Sequence, residues 1–286
     1  TLQQWERKHR GETRKEILMQ VAAIQMASGP NVNANLIEAE RLITLAADSG
    51  AGLIVLPENF ALMGQDELEK VKIREKFGSG QIQNFLSDQA LKHKIWLVGG
   101  TVPLVANVEN KVRAASLVYD DKGKCVARYD KVHLFDVHIE ESSENYNESE
   151  TIEADDKIVV VDTPFGRLGL SICYDLRFPE LFRHMLDKGV DIIVLPAAFT
   201  AITGKAHWEP LVRARAIENL SYVIAAAQGG YHLNGRETYG DSMIVNPWGT
   251  ILDRLPRGSG FVIAQIDPEY IAVTRRNFPT IEHKKL

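Results

Sequence analysis

The sequence contains few cysteines, no long apolar run and no large excess of either charge. Only Cys125 and Cys173 occur among its 286 residues, which argues against a framework of disulfides and fits a reducing compartment. No apolar stretch approaches the roughly 20 residues that span a bilayer. A net charge of −5 gives no overall electrostatic attraction for nucleic acid or for an anionic membrane. The sequence therefore predicts neither a nucleic-acid partner nor a membrane partner.

The first 18 residues do not resemble a targeting sequence. They mix arginine and lysine with glutamate, and they lack the apolar core of a secretory signal. Their acidic residues also argue against a mitochondrial transit peptide. We expect residues 1–18 to be an N-terminal extension, helical or of artificial origin, ahead of one domain over residues 19–286. The expected location is the cytoplasm.

Short apolar runs alternate with amphipathic stretches along the rest of the chain. Hydrophobic residues make up 45% and charged residues 25%, the balance of a globular protein with a buried core. The apolar runs predict strands over residues 20–26, 53–56, 95–98, 114–119, 126–129, 158–161, 168–172, 192–195, 222–227, 242–245, 251–255 and 261–266. Helical spacing predicts helices over residues 36–46, 82–93, 179–187 and 208–219. This mixture, without a break in composition, predicts one α/β domain.

One segment of the chain occurs in two similar copies. Residues 50–60 read Gly-Ala-Gly-Leu-Ile-Val-Leu-Pro-Glu-Asn-Phe, and residues 189–199 read Gly-Val-Asp-Ile-Ile-Val-Leu-Pro-Ala-Ala-Phe. Each copy has a glycine typical of a helix end, a buried strand and a turn marked by proline. The copies indicate either two ordinary strand–helix units or two similar sheets that face each other.

Residues 140–157 form the longest polar stretch, rich in glutamate, serine and asparagine. A solvated surface loop is the simpler prediction for them. A loop longer than about 12 residues within a compact domain is, however, often a lid or a binding loop. Both interpretations stay open at this point.

Cys173 is the candidate nucleophile. It ends an apolar strand and precedes a polar Tyr-Asp-Leu-Arg turn, with Pro179 able to open a helix shortly afterwards. A thiol at the end of a strand and near the start of a helix occupies the usual position of an α/β active site, where its pKa is lowered. The alternative is packing, because a free cysteine behaves as a small hydrophobic residue. Packing is the interpretation we retain for Cys125, which lies within a predicted strand.

A thiol nucleophile needs a base and a group that stabilises the oxyanion. A papain-like site would use histidine, but none of the eight histidines lies in a recognisable local signature. Glu58 and Lys131 each follow a predicted strand and are the alternatives. Taken alone, either could be an ordinary solvent-facing charge at a strand end.

Three ordered motifs together resemble the signatures of the nitrilase superfamily. They are Leu-Pro-Glu ending at Glu58, Tyr-Asp-Lys-Val-His around Lys131, and Cys-Tyr-Asp-Leu-Arg-Phe-Pro-Glu from Cys173. The resemblance implies a four-layer α-β-β-α sandwich of two mixed sheets flanked by helices. It also implies that Glu58 is the general base, Lys131 the oxyanion stabiliser and Cys173 the nucleophile. Glu148 matches a fourth active-site glutamate, so the polar stretch is expected to reach the site.

Within the superfamily, the chain resembles the amidase branches, because true nitrilases usually follow the cysteine with Trp-Glu. Residues 198–250 resemble most closely the deaminated glutathione amidases, although Lys205 departs from their pattern. The alternatives are an ω-amidase acting on 2-oxoglutaramate, an N-carbamoyl amino acid hydrolase, or a non-catalytic interaction protein on the same fold. An acyltransferase is disfavoured because no membrane segment is predicted.

The same resemblance implies a small-molecule amide substrate that bears carboxylates, and no cofactor or metal ion. It implies substrate-binding positions at Tyr174, Arg177, Thr203, His207 and Trp208. For Arg177, a structural ion pair that holds the Arg-Phe-Pro-Glu turn is an equal alternative. The mixed apolar and charged helix near residues 208–219 further suggests a homo-oligomer, at least a dimer.

Overall fold

Two β-sheets lie face to face, and helices cover their outer sides. The structure, a computed structural model, describes residues 19–139 and 144–285. The predicted extension over residues 1–18 therefore lies outside the described residues. The strands are β1 (Met19–Gln25), β2 (Leu53–Val55), β3 (Trp96–Val98), β4 (Val102–Val105), β5 (Val112–Tyr119), β6 (Cys125–Asp130), β7 (Asp136–Ile139), β8 (Glu144–Asn147), β9 (Val160–Thr163), β10 (Gly166–Leu170), β11 (Ile192–Ala197), β12 (Tyr222–Ala227), β13 (Gly229–Tyr231), β14 (Glu237–Tyr239), β15 (Ser242–Val245), β16 (Ile251–Leu255) and β17 (Gly260–Ile266). The α-helices are α1 (Val32–Asp48), α2 (Glu69–Lys72), α3 (Gln81–His93), α4 (Pro179–Asp187), α5 (Ala201–Asn219) and α6 (Pro268–Asn277).

The first sheet has seven strands in the order β17-β1-β2-β3-β5-β4, with β6 paired to β5. The second sheet has six strands in the order β16-β15-β12-β11-β10-β9. Strands β2 and β11, which carry the two similar segments, are each the middle of three parallel strands. The prediction of two similar sheets that face each other is therefore confirmed.

Alternation along β1 shows how the layers are held together. Val21 and Ala23 are fully buried in a core shared with the second sheet. Ala22 and Ile24 are fully buried on the opposite face, in a core shared with helices α1 and α3. Because successive side chains of a strand point to opposite faces, a strand buried on both sides must lie in an inner layer. Helices α4 and α5 pack on the second sheet in the same way, so the fold is the expected four-layer α-β-β-α sandwich.

Two sequence-based assignments near the site are wrong. Part of the predicted loop over residues 140–157 is a strand, β8, which pairs with β7 in an antiparallel hairpin. Helix α5 begins at Ala201 rather than at residue 208, because the Thr200 side chain caps it by accepting a hydrogen bond from the Thr203 N–H. Position 204, inside this helix, requires glycine because a Cβ there would lie 2.3 Å from the Tyr239 side chain. Glycine weakens a helical pattern, which explains why the first turns were missed. No helix among the described residues is long and apolar enough to cross a membrane.

Candidate active site

Glu58, Lys131 and Cys173 come together at the ends of strands from both sheets. Glu58 follows β2 and Lys131 follows β6, both in the first sheet, whereas Cys173 follows β10 in the second sheet. All three residues are buried, with relative exposures of 4%, 1% and 9%. Since isolated buried charges are strongly unfavourable, Glu58 and Lys131 must compensate each other.

The Lys131 ammonium lies between two carboxylates. Its Nζ is 2.9 Å from Oε1 of Glu58 and 2.9 and 2.8 Å from Oε1 and Oε2 of Glu148. The side chain of Lys131 is fully buried, so these contacts are not screened by bulk water. The site therefore contains one fixed positive charge held by two negative ones.

Burial and these charges set the protonation of the site. Burial alone would lower the pKa of Lys131, but the carboxylates of Glu148 and Glu58 outweigh it and raise that pKa well above its ordinary value. Burial raises the pKa of Glu58, and the charge of Glu148 adds to this, while Lys131 acts in the opposite direction. Lys131 thus stays charged, and Glu58 is a stronger proton acceptor than a solvent-exposed glutamate.

Cys173 has an unusual backbone conformation. Cys173 has a φ of +45°, a left-handed conformation that costs a non-glycine residue of the order of 1–3 kcal/mol and is common at functional sites. The residue opens a 3₁₀ turn over Cys173–Arg177, and the backbone N–H of Ala198 points to its Sγ at 3.4 Å. Burial, followed by the charge of Glu58, raises the pKa of the thiol well above its ordinary value. The resting group is consequently a thiol that needs a neighbouring base.

The β7–β8 hairpin brings Glu148 to the site. Glu148 follows β8 directly, and its Oε2 accepts a hydrogen bond from the Phe135 N–H at 2.8 Å as well as from Lys131. Both Lys131 and Phe135 belong to the stretch that joins β6 to β7. The polar segment that includes Glu148 is therefore joined to the site by hydrogen bonds from both a side chain and a backbone N–H.

A pocket that is open to solvent lies beside the Cys173 thiol. It is lined by side chains from several loops, namely Glu58, Asn59, Met63, Phe135, Tyr146, Glu148, Cys173, Tyr174, Arg177, Ala198, Phe199, Thr200, Thr203, Arg236, Glu237 and Thr238. Of the five predicted substrate-binding residues, Tyr174, Arg177 and Thr203 line this pocket.

The other two predicted substrate-binding residues lie away from the pocket wall. Trp208 is fully buried behind Phe199, with ring centroids 5.0 Å apart, and its Nε1 donates to the Asp241 carbonyl at 2.8 Å. An indole enclosed in this way supports the wall without contacting a ligand. His207 is exposed on α5, and its Nδ1 lies 3.3 Å from a guanidinium nitrogen of Arg177. Its position allows it to orient Arg177.

Arg177 faces the pocket without an acidic partner. Its guanidinium carbon lies 5.1 Å from the Phe199 ring centroid and 5.9 Å from that of Tyr174. Across the described part of the chain, no carboxylate lies within 4 Å of its guanidinium nitrogens. The alternative of a structural ion pair in the Arg-Phe-Pro-Glu turn therefore finds no support. A cation stacked on aromatic rings is suited to an anionic ligand.

Sequence reasoning missed Arg236, a second cation of the pocket. It lies between β13 and β14, where its guanidinium carbon is 4.9 Å from the Tyr146 ring centroid and Nη2 is 2.5 Å from Oε1 of Glu67. Burial alone would raise the pKa of Glu67, but the charges of Lys70 and Arg236 lower it to about 2. The only local signal was a glycine-rich stretch, and such stretches are common in ordinary turns. Among the described residues, no cluster of three or more histidine, cysteine or acidic side chains could hold a metal ion.

Known proteins share both the sequence and the fold. The chain matches the model of the carbon-nitrogen hydrolase family over residues 20–276. A deaminated glutathione amidase of Synechocystis sp. is 44% identical over 266 residues, which cover 92% of this chain and 97% of that protein. The crystal structure of the C. elegans NitFhit protein is 36% identical, with a TM-score of 0.87, and the match covers 94% of this chain and 65% of that chain. Saccharomyces cerevisiae Nit3, a member of branch 10 of the nitrilase superfamily, is 34% identical, with a TM-score of 0.82 and coverages of 92% and 94%. The chain therefore belongs to the carbon-nitrogen hydrolase family and is an amidase of the nitrilase superfamily.

Proposed function

We propose that this amidase hydrolyses the 2-oxoglutaryl amide of deaminated glutathione and releases 2-oxoglutarate and cysteinylglycine. The observation that carries the chemistry is a buried ammonium shared by two carboxylates beside a buried thiol. The substrate is suggested by the name of the Synechocystis relative, a deaminated glutathione amidase, and by the Arg177 guanidinium in the pocket, which has no acidic partner among the described residues. Hydrolysis proceeds through a thioester on Cys173.

In the acylation step, Glu58 acts as the general base. As the Sγ–carbon bond forms, Glu58 takes the thiol proton, because its raised pKa makes it a suitable acceptor. Lys131 and the backbone N–H of Tyr174 stabilise the negative charge that develops on the carbonyl oxygen. Glu58 then returns its proton to the leaving nitrogen, and the carbon–nitrogen bond breaks. The products of this step are the thioester and the free amine of cysteinylglycine.

In the deacylation step, water attacks the thioester carbonyl. Glu58 takes a proton from this water, and the carbon–sulfur bond breaks as the thiol of Cys173 is protonated again. Glu148 supports both steps indirectly, because it holds the Lys131 ammonium through two oxygens. Among the residues that the structure describes, loss of Glu148 would leave Glu58 as the only carboxylate within 4 Å of the ammonium.

Arg177 is proposed to bind a substrate carboxylate. A guanidinium can hold a carboxylate through two parallel hydrogen bonds, and the aromatic contacts of Arg177 fix its plane. Tyr174 and Thr203 line the same wall of the pocket. Arg236 is paired with Glu67 through Nη2, but it lines the same pocket, and its other guanidinium donors suit a second carboxylate on the leaving group.

The substrate is tested by comparing deaminated glutathione with 2-oxoglutaramate. Both form the same 2-oxoglutaryl thioester, so discrimination must arise from the leaving group. We expect a ratio of kcat/KM of at least about tenfold in favour of deaminated glutathione, which equals about 1.4 kcal/mol. Single-turnover measurements should give different acylation rates and equal deacylation rates. Equal acylation rates, or a preference for 2-oxoglutaramate, would assign the chain to the ω-amidases instead.

The carboxylate-binding role is tested with Arg177→Met. A charged hydrogen bond contributes about 1.5–3 kcal/mol, so kcat/KM should fall by about 10- to 100-fold. Arg276→Met, at an exposed position on α6, is the matched control and should change nothing. If Arg177→Met keeps the wild-type kcat/KM for deaminated glutathione, Arg177 does not bind the substrate.

We propose further that the protein acts in the cytoplasm as a homo-oligomer, at least a dimer. Support for the oligomer comes from Ile217 on α5 and from Trp248 and Phe278, apolar side chains that are 45%, 46% and 46% exposed. The rings of Trp248 and Phe278 contact each other with centroids 5.4 Å apart. Large apolar surfaces of this kind are typical of subunit interfaces. The two free cysteines support the cytoplasmic location.

A further inference from the structure

A buried carboxylate outside the proposed reaction connects two parts of the site. Asp175 is fully buried, and its two oxygens accept four hydrogen bonds. Oδ2 accepts from the Tyr129 hydroxyl at 2.7 Å and from the Ile172 N–H at 2.8 Å. Oδ1 lies 2.7 Å from Nδ1 of His133 and accepts from the His133 N–H at 3.2 Å. Because an ionised carboxylate only accepts hydrogen bonds, Nδ1 of His133 carries the proton.

The donors flank the proposed catalytic residues in the sequence. Tyr129 and His133 lie two residues before and two residues after Lys131, and Ile172 directly precedes Cys173. Tyr129 belongs to β6 in the first sheet, whereas Ile172 follows β10 in the second. Asp175 therefore ties the backbone around Lys131 to the backbone around Cys173 across the interface between the sheets.

Aromatic contacts stiffen this connection. The His133 ring is stacked on Phe178, with centroids 3.8 Å apart and planes 6° apart. Phe178 in turn makes an edge contact with Tyr174 at 5.2 Å. The imidazole is thus held on one face by packing and at Nδ1 by Asp175, so the segment that follows Lys131 has little freedom to move.

We propose that Asp175 is a positioning residue that fixes the Lys131 ammonium relative to the Cys173 thiol. This inference rests on the proposed roles of Lys131 and Cys173. The simpler alternative is that Asp175 only stabilises the fold. The two differ in what they predict, because a displacement of about 1 Å between reacting groups can reduce a rate by about 100-fold, whereas a loss of stability alone leaves the rate of the folded fraction unchanged.

The main test is Asp175→Asn, with Asp241→Asn as the matched control. Asp241 is also a buried carboxylate, 2% exposed, and Arg254 donates to both of its oxygens. Among the described residues its carboxylate is bonded to Arg254, which lies outside the motif segments, and asparagine suits its φ of +61°. We expect Asp175→Asn to lower kcat by about 100-fold with KM unchanged within about threefold. Asp241→Asn should lower the melting temperature but leave kcat unchanged.

The individual ties are tested with Tyr129→Phe and His133→Phe. Both changes keep an aromatic ring in place and remove one donor to Asp175. Each should lower kcat by about tenfold, the effect of losing a hydrogen bond of about 1.4 kcal/mol. Combining either change with Asp175→Asn should add nothing, because the tie is already broken. These variants also keep the inference testable if Asp175→Asn fails to fold.

Alkylation of Cys173 by iodoacetamide gives a readout that a structural role would not change. The charged groups that act on the thiol are Glu58, Lys131 and Glu148. Removal of the Asp175 charge alone would favour the thiolate and move the alkylation profile to lower pH. Displacement of Lys131 would withdraw a positive charge from the thiol and move the profile to higher pH. We expect the shift to higher pH in Asp175→Asn and no shift in Asp241→Asn.

The outcomes separate this inference from the proposed function. If Cys173→Ala retains turnover, the proposed reaction is wrong. If Cys173→Ala is inactive but Asp175→Asn keeps its kcat, the positioning role alone is wrong. An equal loss of kcat in Asp241→Asn, or an alkylation profile of Asp175→Asn that stays in place or moves to lower pH, would also overturn it.

Discussion

Replacement of Lys131 by methionine is the most direct perturbation of the proposed site. Methionine has about the same length as lysine but carries no charge, so it fills the same buried volume. The change removes the ammonium that contacts Glu58 at 2.9 Å and Glu148 at 2.8 Å. Across the described residues, Lys131 is the only cation within 4 Å of either carboxylate. The buried carboxylate of Glu58 and the half-buried carboxylate of Glu148 would then lie close together without a cation between them.

Two consequences set the magnitude. The loss of one preformed oxyanion donor lowers kcat by about 10²- to 10³-fold, or about 2.7–4 kcal/mol. In addition, burial and the charge of Glu148 both raise the pKa of Glu58, and the charge of Lys131 is the largest influence that opposes them. Without Lys131, the pKa of Glu58 rises further, so a smaller fraction of Glu58 is ionised and able to act as a base. We therefore expect kcat to fall by at least about 1,000-fold.

The assay is release of 2-oxoglutarate from deaminated glutathione, followed together with single-turnover acylation. Thermal unfolding must show a folded variant, because removing one partner of a buried pair can cost about 3–5 kcal/mol. Lys92→Met is the matched control, since its ion pair with Glu40 at 2.7 Å is exposed and contributes less than about 1 kcal/mol. If Lys131→Met keeps a tenth of the wild-type kcat, Lys131 does not stabilise the oxyanion.

Three further predictions follow from the same contacts. Glu58→Gln and Cys173→Ala should each abolish nearly all turnover, and the double variant should be no worse than the poorer single one, as for residues that act as a unit; additive losses in kcat would contradict this. Lys70 and Arg236 lower the pKa of Glu67 from 4.5 to about 2. The ion pairs of Glu67 therefore stabilise the fold fully above pH 4.5. This stabilisation is lost as the pH falls towards 2. Glu67→Gln should therefore reduce the free energy of unfolding at pH 7 but not near pH 2, and a difference that persists at pH 2 in acid-unfolding curves would refute the assignment. Sedimentation velocity at micromolar concentration should show a dimer or a larger species, and a monomer alone would rule out the proposed oligomer.

The sheets were predictable because their strands are nearly continuous apolar runs. Strand β4 escaped prediction because Pro103 interrupts it, and proline occurs in sheets mainly at edges, which is where β4 lies. Helix α6 was missed although its signal is present. Asp267 caps the helix by accepting from the Glu269 N–H at 2.9 Å, and Pro268 takes the first helical position. Strand β8 was not predicted because its four residues, Glu-Asn-Tyr-Asn, lack an apolar alternation.

The proposed catalytic residues could be found because each lies at a strand end within a motif. The residues that contact and position these catalytic residues could not be found from the sequence. Asp175 contacts Tyr129 across 46 residues of sequence, and Arg236 contacts Glu67 across 169 residues. An aspartate within a turn motif most often caps or bonds to its neighbours. Asp175 follows the second sheet, and only the packing of the two sheets reveals that it also accepts hydrogen bonds from residues in or next to the first sheet.

The two similar segments, residues 50–60 and 189–199, each end in a turn that lies near the Cys173 thiol, but the two turns carry different side chains. Where residues 50–60 place Glu58 and Asn59, residues 189–199 place Ala197 and Ala198. One turn carries a carboxylate, while the other presents only a backbone N–H to Cys173 and two methyl groups. Related backbones thus serve different purposes in the proposed reaction, since one carries the proposed proton acceptor and the other leaves space beside the thiol. A bulkier side chain at position 198 would block the approach of a substrate carbonyl while leaving every charged group of the site intact.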